Sequence, residues 1–428
     1  MVKRALIITY YWPPAGGPGV QRWLKFVKYF KEFDIEPVVY IPENPHYPIV
    51  DESFVSEIPL DIKILKHPIK EPYRFAGMLS KKKTNTISKG IINKKEQSFI
   101  EKAMLYVRGN FFIPDARIGW VKPSVAFLKK ELVNNLVDCI ITTGPPHSLH
   151  LIGMQLQKQL NLPWIADFRD PWTTIHYHKE LKLSKAAAQK HKQMETEVLQ
   201  KADQIVVTSP TTKKEFKQLT NTPIEVITNG YEVSEDIYPI PDTSFSIAHI
   251  GSLLSERNPK ILWKVLSEIA SENKEFATDL ELKLVGAVSE TIISSIEDAG
   301  LKTALKTIGY VTHAEALKMQ HNAQLLLVVE MDRPETRAII PGKLFEYLAA
   351  QRPIIALGPK GSDIQEILQQ THSGQFFTYQ DEEALKELLL THYKAFKDGT
   401  LSIQTNAIEN YSRRELTRKM AALIRSAC

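Results

Sequence analysis

Apolar residues return along this chain in two rhythms. Short, nearly unbroken apolar runs alternate with longer stretches where apolar side chains recur every three or four positions. The runs predict strands over 5–11, 36–41, 62–67, 138–143, 164–168 and 204–208. The longer stretches predict helices, for example over 20–30, where Val20, Trp23, Leu24, Val27 and Phe30 share a face, and over 147–160 and 186–201. Several strands are continuously apolar rather than alternating, as parallel strands covered on both faces should be. A second series follows the Asn229-Gly230 pair and the Pro-rich stretch 238–241. It predicts strands over 245–251, 280–286, 306–311, 324–329, 353–357 and 375–378, with helices over 259–270, 343–350, 382–393 and 410–427. Alternation of this kind predicts an α/β protein with two doubly wound parallel sheets. The domain boundary is expected within 225–242, giving domains over 1–228 and 229–409, with 410–428 packing back onto the first.

Length agrees, because 428 residues exceed what one hydrophobic core usually organises. With 43% hydrophobic and 24% charged residues, the chain is neither disordered nor fibrous. No run approaches the ~18 apolar residues of a membrane span. The N-terminus enters a strand and then Pro13-Pro14, which makes a poor signal peptide. Cys139 and Cys428, the only cysteines, exclude a disulfide framework or a Cys-based zinc site and fit a cytoplasmic protein. A net charge of +5 is too mild for a nucleic-acid footprint. The stretch 74–107 breaks the rhythm: Lys81, Lys82, Lys83, Lys89, Lys94 and Lys95 fall in 81–95 without an acidic residue. It reads as a solvated insertion, or as a patch for peripheral contact with anionic lipid at the inner membrane face.

Polar residues gather where predicted strands end. After the first strand, Gly16, Gly17 and Gly19 sit among prolines just before a helix, so the loop lets a ligand approach the backbone and the free N–H groups that attract phosphate. Turn-making alone explains the same glycines. At another strand end stands Asp167-Phe168-Arg169-Asp170-Pro171-Trp172. Its charges either pair to fix the loop or form a polar rim that orients a substrate. His147, after Gly144-Pro145-Pro146, is a ligand candidate, and Ser148 beside it a candidate helix cap. In the second half Arg257 precedes a helix, either as a surface cation or as a partner for diphosphate. Pro341-Gly342-Lys343-Leu344-Phe345-Glu346 opens another. Glu346 either pairs with Lys343 along the helix or grips two ribose hydroxyls, as carboxylates in dinucleotide folds do.

The early Gly-Gly loop, the Asn229-Gly230 junction, Gly251 at the end of a strand, and the Pro341–Ala350 helix start together resemble glycosyltransferase family 4. Tyr11-Trp12-Pro13-Pro14 and Asp167–Trp172 are similar to bacterial surface-polysaccharide transferases. The resemblance covers nearly all of the chain except about 70–115. It implies a GT-B architecture, two Rossmann-like domains facing across a cleft, the first binding the acceptor and the second a nucleotide-sugar donor. It implies that Glu346 holds the donor ribose and that Gly342 and Lys343 lie near the diphosphate. By the same token Gly16 and Gly17 would close over the diphosphate, and backbone at Tyr310 and Val311 would form a shelf for the base. The family's paired glutamates are not both present: Ala338 stands at the first place, leaving Glu330 or Glu335 as substitutes. Ser252 replaces a usual arginine and Arg257 a usual lysine, so Arg257 and Lys343 are the phosphate candidates.

The expected activity is transfer of a sugar from a nucleoside-diphosphate sugar to a hydroxyl on a glycan or lipid-linked acceptor. The resemblance implies retention of configuration. Asp167, Arg169, Asp170 and His147 would align the acceptor, with no metal or other cofactor, since no Asp-x-Asp motif stands at the strand ends. Two rivals are a nucleotide-sugar epimerase on the same fold and a non-catalytic nucleotide-sugar-binding subunit.

Overall fold

The computed structural model describes residues 1–71, 99–175, 178, 181–232 and 238–428. The Lys81–Lys95 run lies outside the described residues. The chain divides into two compact units, Met1–Asn229 with Arg413–Cys428, and Gly230–Ser412.

The first unit holds a seven-stranded, all-parallel sheet. Its strands are β1 (Lys3–Ile8), β2 (Ile35–Pro42), β3 (Lys63–His67), β4 (Cys139–Gly144), β5 (Trp164–Phe168), β6 (Gln204–Val207) and β7 (Ile224–Val226), in the order β3-β2-β1-β4-β5-β6-β7. Strand geometry sends alternate side chains to opposite faces, and both faces are buried. Leu6 and Ile8 join one apolar cluster, with Trp120, Leu128 and Leu156. Ala5 and Ile7 join the other, with Trp23, Val27 and Phe30. That double burial explains the unbroken apolar runs. The helix Arg413–Ala427 belongs to this unit and seals the second cluster with Met420, Ala421 and Ile424.

The second unit repeats the plan with six parallel strands: β8 (Phe245–Ile250), β9 (Leu280–Val285), β10 (Leu305–Ile308), β11 (Leu325–Val329), β12 (Ile354–Leu357) and β13 (Gly374–Phe377). Their order is β10-β9-β8-β11-β12-β13. Leu325, Leu327 and Val329 pack with Leu282 and Trp263 on one face, while Leu326 and Val328 pack with Phe345 and Leu348 on the other. In each sheet the winding changes direction once, between β1 and β4 and between β8 and β11. At such a point the loops on either side diverge and leave a crevice beyond the carboxyl ends of the strands.

Candidate active site

In the second unit the charged residues collect at that crevice. β8 ends in His249-Ile250 and turns at Gly251, whose φ of 118° is one that side chains rarely adopt. β11 is followed at once by Glu330, 1% exposed. The helix Gly342–Ala350 starts beside them and carries Lys343 in its first turn. The Lys343 ammonium donates to His249 Nε2 at 2.8 Å. It lies 2.8 Å from where a Cβ on Gly251 would stand, so a side chain there would displace the ammonium. Arg257, in the short turn Ser255–Arg257, reaches Glu330 with a guanidinium nitrogen 3.4 Å from the carboxylate. Tyr379 fixes the same corner by donating to the Glu330 carbonyl at 2.7 Å.

Electrostatics follow from crowding. Burial and the neighbouring Arg257 pull Lys343 down to about 7, although Glu330 and Glu346 work the other way. Burial pushes the Glu330 carboxyl above its usual range, with Arg257 and Lys343 opposing. Burial and Lys343 drive His249 well below an ordinary histidine, so its imidazole is neutral near pH 7. Glu330 is thus ion-paired with Arg257, while the Lys343 ammonium, faced by Glu330 and Glu346 at longer range, rests against the neutral His249. Glu346, one turn beyond Lys343, is half-buried and accepts from Gln320 Nε2 at 2.8 Å. Tyr310 and Val311 lie in the loop after β10, with the Tyr310 side chain 94% exposed.

The first unit has its own polar group at the ends of β1, β4 and β5. Asp167 is fully buried, and both its oxygens are occupied. It accepts from Arg22 Nη2 at 2.7 Å and Nε at 3.3 Å, from Trp23 Nε1 at 2.8 Å and from the Thr143 hydroxyl at 2.7 Å. It therefore anchors the helix Pro18–Tyr29 to the sheet and presents no oxygen to a rim. That corrects the expectation of a direct substrate contact, and its ionic partner is Arg22 rather than Arg169. Arg169 instead donates to the carbonyls of Gly144, at 3.4 Å, and Pro145, and lies over the Tyr11 ring. A Cβ on Gly19 would strike its guanidinium. Asp170 is half-buried, and burial raises its carboxyl despite Arg169.

His147 stacks face to face on Trp172, centroids 5.0 Å apart. Burial, then His150 and Arg169, keep it neutral, and burial takes His150 down to about 3. Ser148 does not cap its helix. Asp115 does so from a loop 33 residues earlier, accepting from Ser148 N at 2.8 Å and Oγ at 2.9 Å. Gly16 also differs from expectation: its N–H donates to the Ile49 carbonyl at 2.9 Å, and a Cβ would meet Ile49 at 2.8 Å. That amide serves the loop itself, and a diphosphate would not find it free. Gly17, with φ 94°, is the residue that starts the helix.

Family comparisons decide what this frame is. The family model described as Glycosyltransferase Family 4 matches residues 93–235, and that of Glycosyl transferases group 1 matches 244–394. The chain belongs to the GT-B glycosyltransferases of family 4. Solved structures share the transferase's fold at low identity. Sucrose-phosphate synthase from Thermosynechococcus elongatus is 14% identical, with 99% of this chain and 98% of that one covered and a TM-score of 0.60. The lipopolysaccharide outer core galactosyltransferase WaaB is 14% identical over 100% of both chains, TM-score 0.58. TarM is 12% identical over 99% of both, TM-score 0.62. No curated protein matches the sequence.

Of the residues singled out in the sequence, the transferase brings Lys343 and Arg257 into one cluster around Glu330, with Glu346 on the next turn. In the other unit it brings Arg169 against Gly19 and Gly144. His249, Arg22 and Asp115 were missed. The first had a signal, a histidine in the mostly apolar strand Phe245–Ile250, two residues before a glycine. Arg22 and Asp115 are held by partners far along the chain, at separations of 145 and 33 residues, which local pattern does not reveal. Among the described residues, no helix is long and apolar enough to cross a membrane.

Proposed function

We propose that the glycosyltransferase moves a sugar, with retention, from a nucleoside-diphosphate sugar to a hydroxyl acceptor in surface polysaccharide or glycolipid assembly, and that the second unit binds the donor. One observation carries the reading: two cationic side chains, Lys343 and Arg257, gather with the buried Glu330 at the switch point of the second sheet, beside a helix N-terminus. Breaking the glycosidic bond puts negative charge on the departing diphosphate. Preorganised cations and the helix N-terminus stabilise it there, in surroundings where Coulomb interactions are stronger than in water. Glu346, on the same helix, offers a carboxylate for the ribose hydroxyls, and the backbone at Tyr310 and Val311 offers a shelf for the base. The acceptor proton passes to the leaving phosphate as the new bond forms, so no separate base is required. His147, Arg169 and Asp170, at the strand ends of the first unit, are the candidates for orienting the acceptor, which accelerates transfer by proximity.

Thermal-shift titration with UDP, GDP, ADP and dTDP, followed by mass spectrometry of the acceptor with the matching donor, tests this. Arg257→Ala and Glu346→Ala should each lower transfer roughly 10–1000-fold, about 1.4–4 kcal/mol. Unchanged transfer in both variants contradicts the site. Isomerised donor formed without acceptor points to the epimerase, an activity suggested by a fold neighbour described as a putative UDP-N-acetylglucosamine 2-epimerase from Listeria monocytogenes, 11% identical over 100% of this chain and 96% of that one, TM-score 0.54.

A further inference from the structure

His249 touches Lys343 in surroundings that are specific. The ring is 1% exposed in the middle of the second unit. Its Nδ1 lies 2.9 Å from the Leu327 carbonyl on the adjacent strand β11. A carbonyl only accepts, so the proton of the neutral ring sits on Nδ1 and the Nε2 lone pair is free to accept. The Lys343 ammonium stands 2.8 Å from that lone pair, with the Ser252 carbonyl 3.4 Å from the same nitrogen. The tautomer is therefore set by one strand and used against a residue of the following helix.

We propose that His249 is a positioning residue which, through its Nε2 lone pair, holds the Lys343 ammonium charged and aimed over the Gly251 turn, ready for the donor diphosphate. This rests on the donor site proposed above. A lysine on an unsupported stem would sample many rotamers and lose its proton in so crowded a corner. The groups facing it are Arg257, which disfavours its charge, and Glu330 and Glu346, which favour it. Glu330 is engaged by Arg257 and Glu346 by Gln320. His249 supplies the close hydrogen-bond acceptor that adds no charge. A carboxylate in its place would hold the ammonium as well but would add a negative charge that repels the diphosphate.

Binding of a diphosphate to a lysine of lowered pKa is linked to proton uptake. With Lys343 near 7 in the free protein, affinity is greatest below that pH. It falls above it by up to about tenfold per pH unit until the lysine of the complex deprotonates. UDP, GDP and ADP are each titrated calorimetrically from pH 5.5 to 9 against the wild-type protein and Lys343→Met, His249→Phe, His249→Leu and His249→Gln. The nucleotide's own ionisation is common to every variant, so a displaced alkaline limb belongs to the protein. Removing the acceptor in His249→Phe should move that limb about one unit lower, roughly a tenfold loss near pH 8. His249→Leu gives the same readout if the larger ring does not fit. His249→Gln, whose amide can donate to Leu327 and accept from Lys343, should restore the limb. A limb unmoved in both apolar variants while Lys343→Met abolishes it would overturn the positioning role and leave the donor site standing. Lys343→Met binding like the wild type, or no nucleotide binding to the wild type, would remove the donor site and this inference with it.

Discussion

Two charged pairs, one wholly buried and one open on its arginine side, illustrate how different jobs shape neighbouring chemistry. Arg22 and Asp167 are both wholly enclosed, and Asp167 has four donated hydrogen bonds. Burial alone would push its carboxyl up, but the Arg22 charge and the bonds from Arg22, Thr143 and Trp23 outweigh that and hold it below the ordinary range. A depressed carboxyl adds stability that is present above the unfolded value of ~3.9 and lost as pH falls through the native one. Asp167→Ala should destabilise the first unit by about 3–5 kcal/mol, because it strands a buried guanidinium. The Arg22→Met, Asp167→Leu double variant should recover much of the loss. Urea denaturation followed at pH 7 checks both, and a double variant no more stable than Asp167→Ala would contradict the assignment. At the other site Arg257 pairs with Glu330, and Lys343 rests on the neutral His249. That corner is built less for stability than for a ligand.

At the scale of elements, the turns that end β8 and β1 do most to present the site. Gly251 combines a positive φ with the close approach of Lys343. Gly251→Ala should weaken nucleotide affinity at least about tenfold, ~1.4 kcal/mol, through backbone strain and a displaced ammonium. Gly119→Ala, where a Cβ meets nothing within 4 Å, should change it less than about twofold. Equal affinities in calorimetry would argue that the turn plays no part. The strands and the large helices were legible because doubly buried parallel strands carry unbroken apolar runs, and Trp164–Phe168 falls where its pattern ended. β7, only three residues long, and the seven-residue helix Pro210–Phe216 were not, since neither is long enough to show a period. Lys343, opening a helix, and Arg257, just before one, were readable from those places. The work of Asp167 was not, because its partner lies on a helix 145 residues earlier, and the contact exists only once the sheet is assembled. Gly16 misled for a similar reason: the carbonyl that takes its N–H comes from Ile49 in a different loop.

Across the molecule, the same plan appears twice and is used differently. Each unit buries both faces of a parallel sheet and gathers polar side chains past the carboxyl ends of its strands, at the point where the winding reverses. The first unit neutralises its deepest charge internally, between Arg22 and Asp167. The second gathers two cationic side chains, Lys343 and Arg257, beside a helix N-terminus. With a net charge of only +5 over 428 residues, local arrangement rather than overall charge must select an anionic ligand. Hydrogen–deuterium exchange of the whole protein, with and without saturating nucleoside diphosphate, tests that most directly. Slowed exchange is expected in peptides covering 249–258 and 340–347. Protection confined to other segments, with these two unchanged, would contradict it.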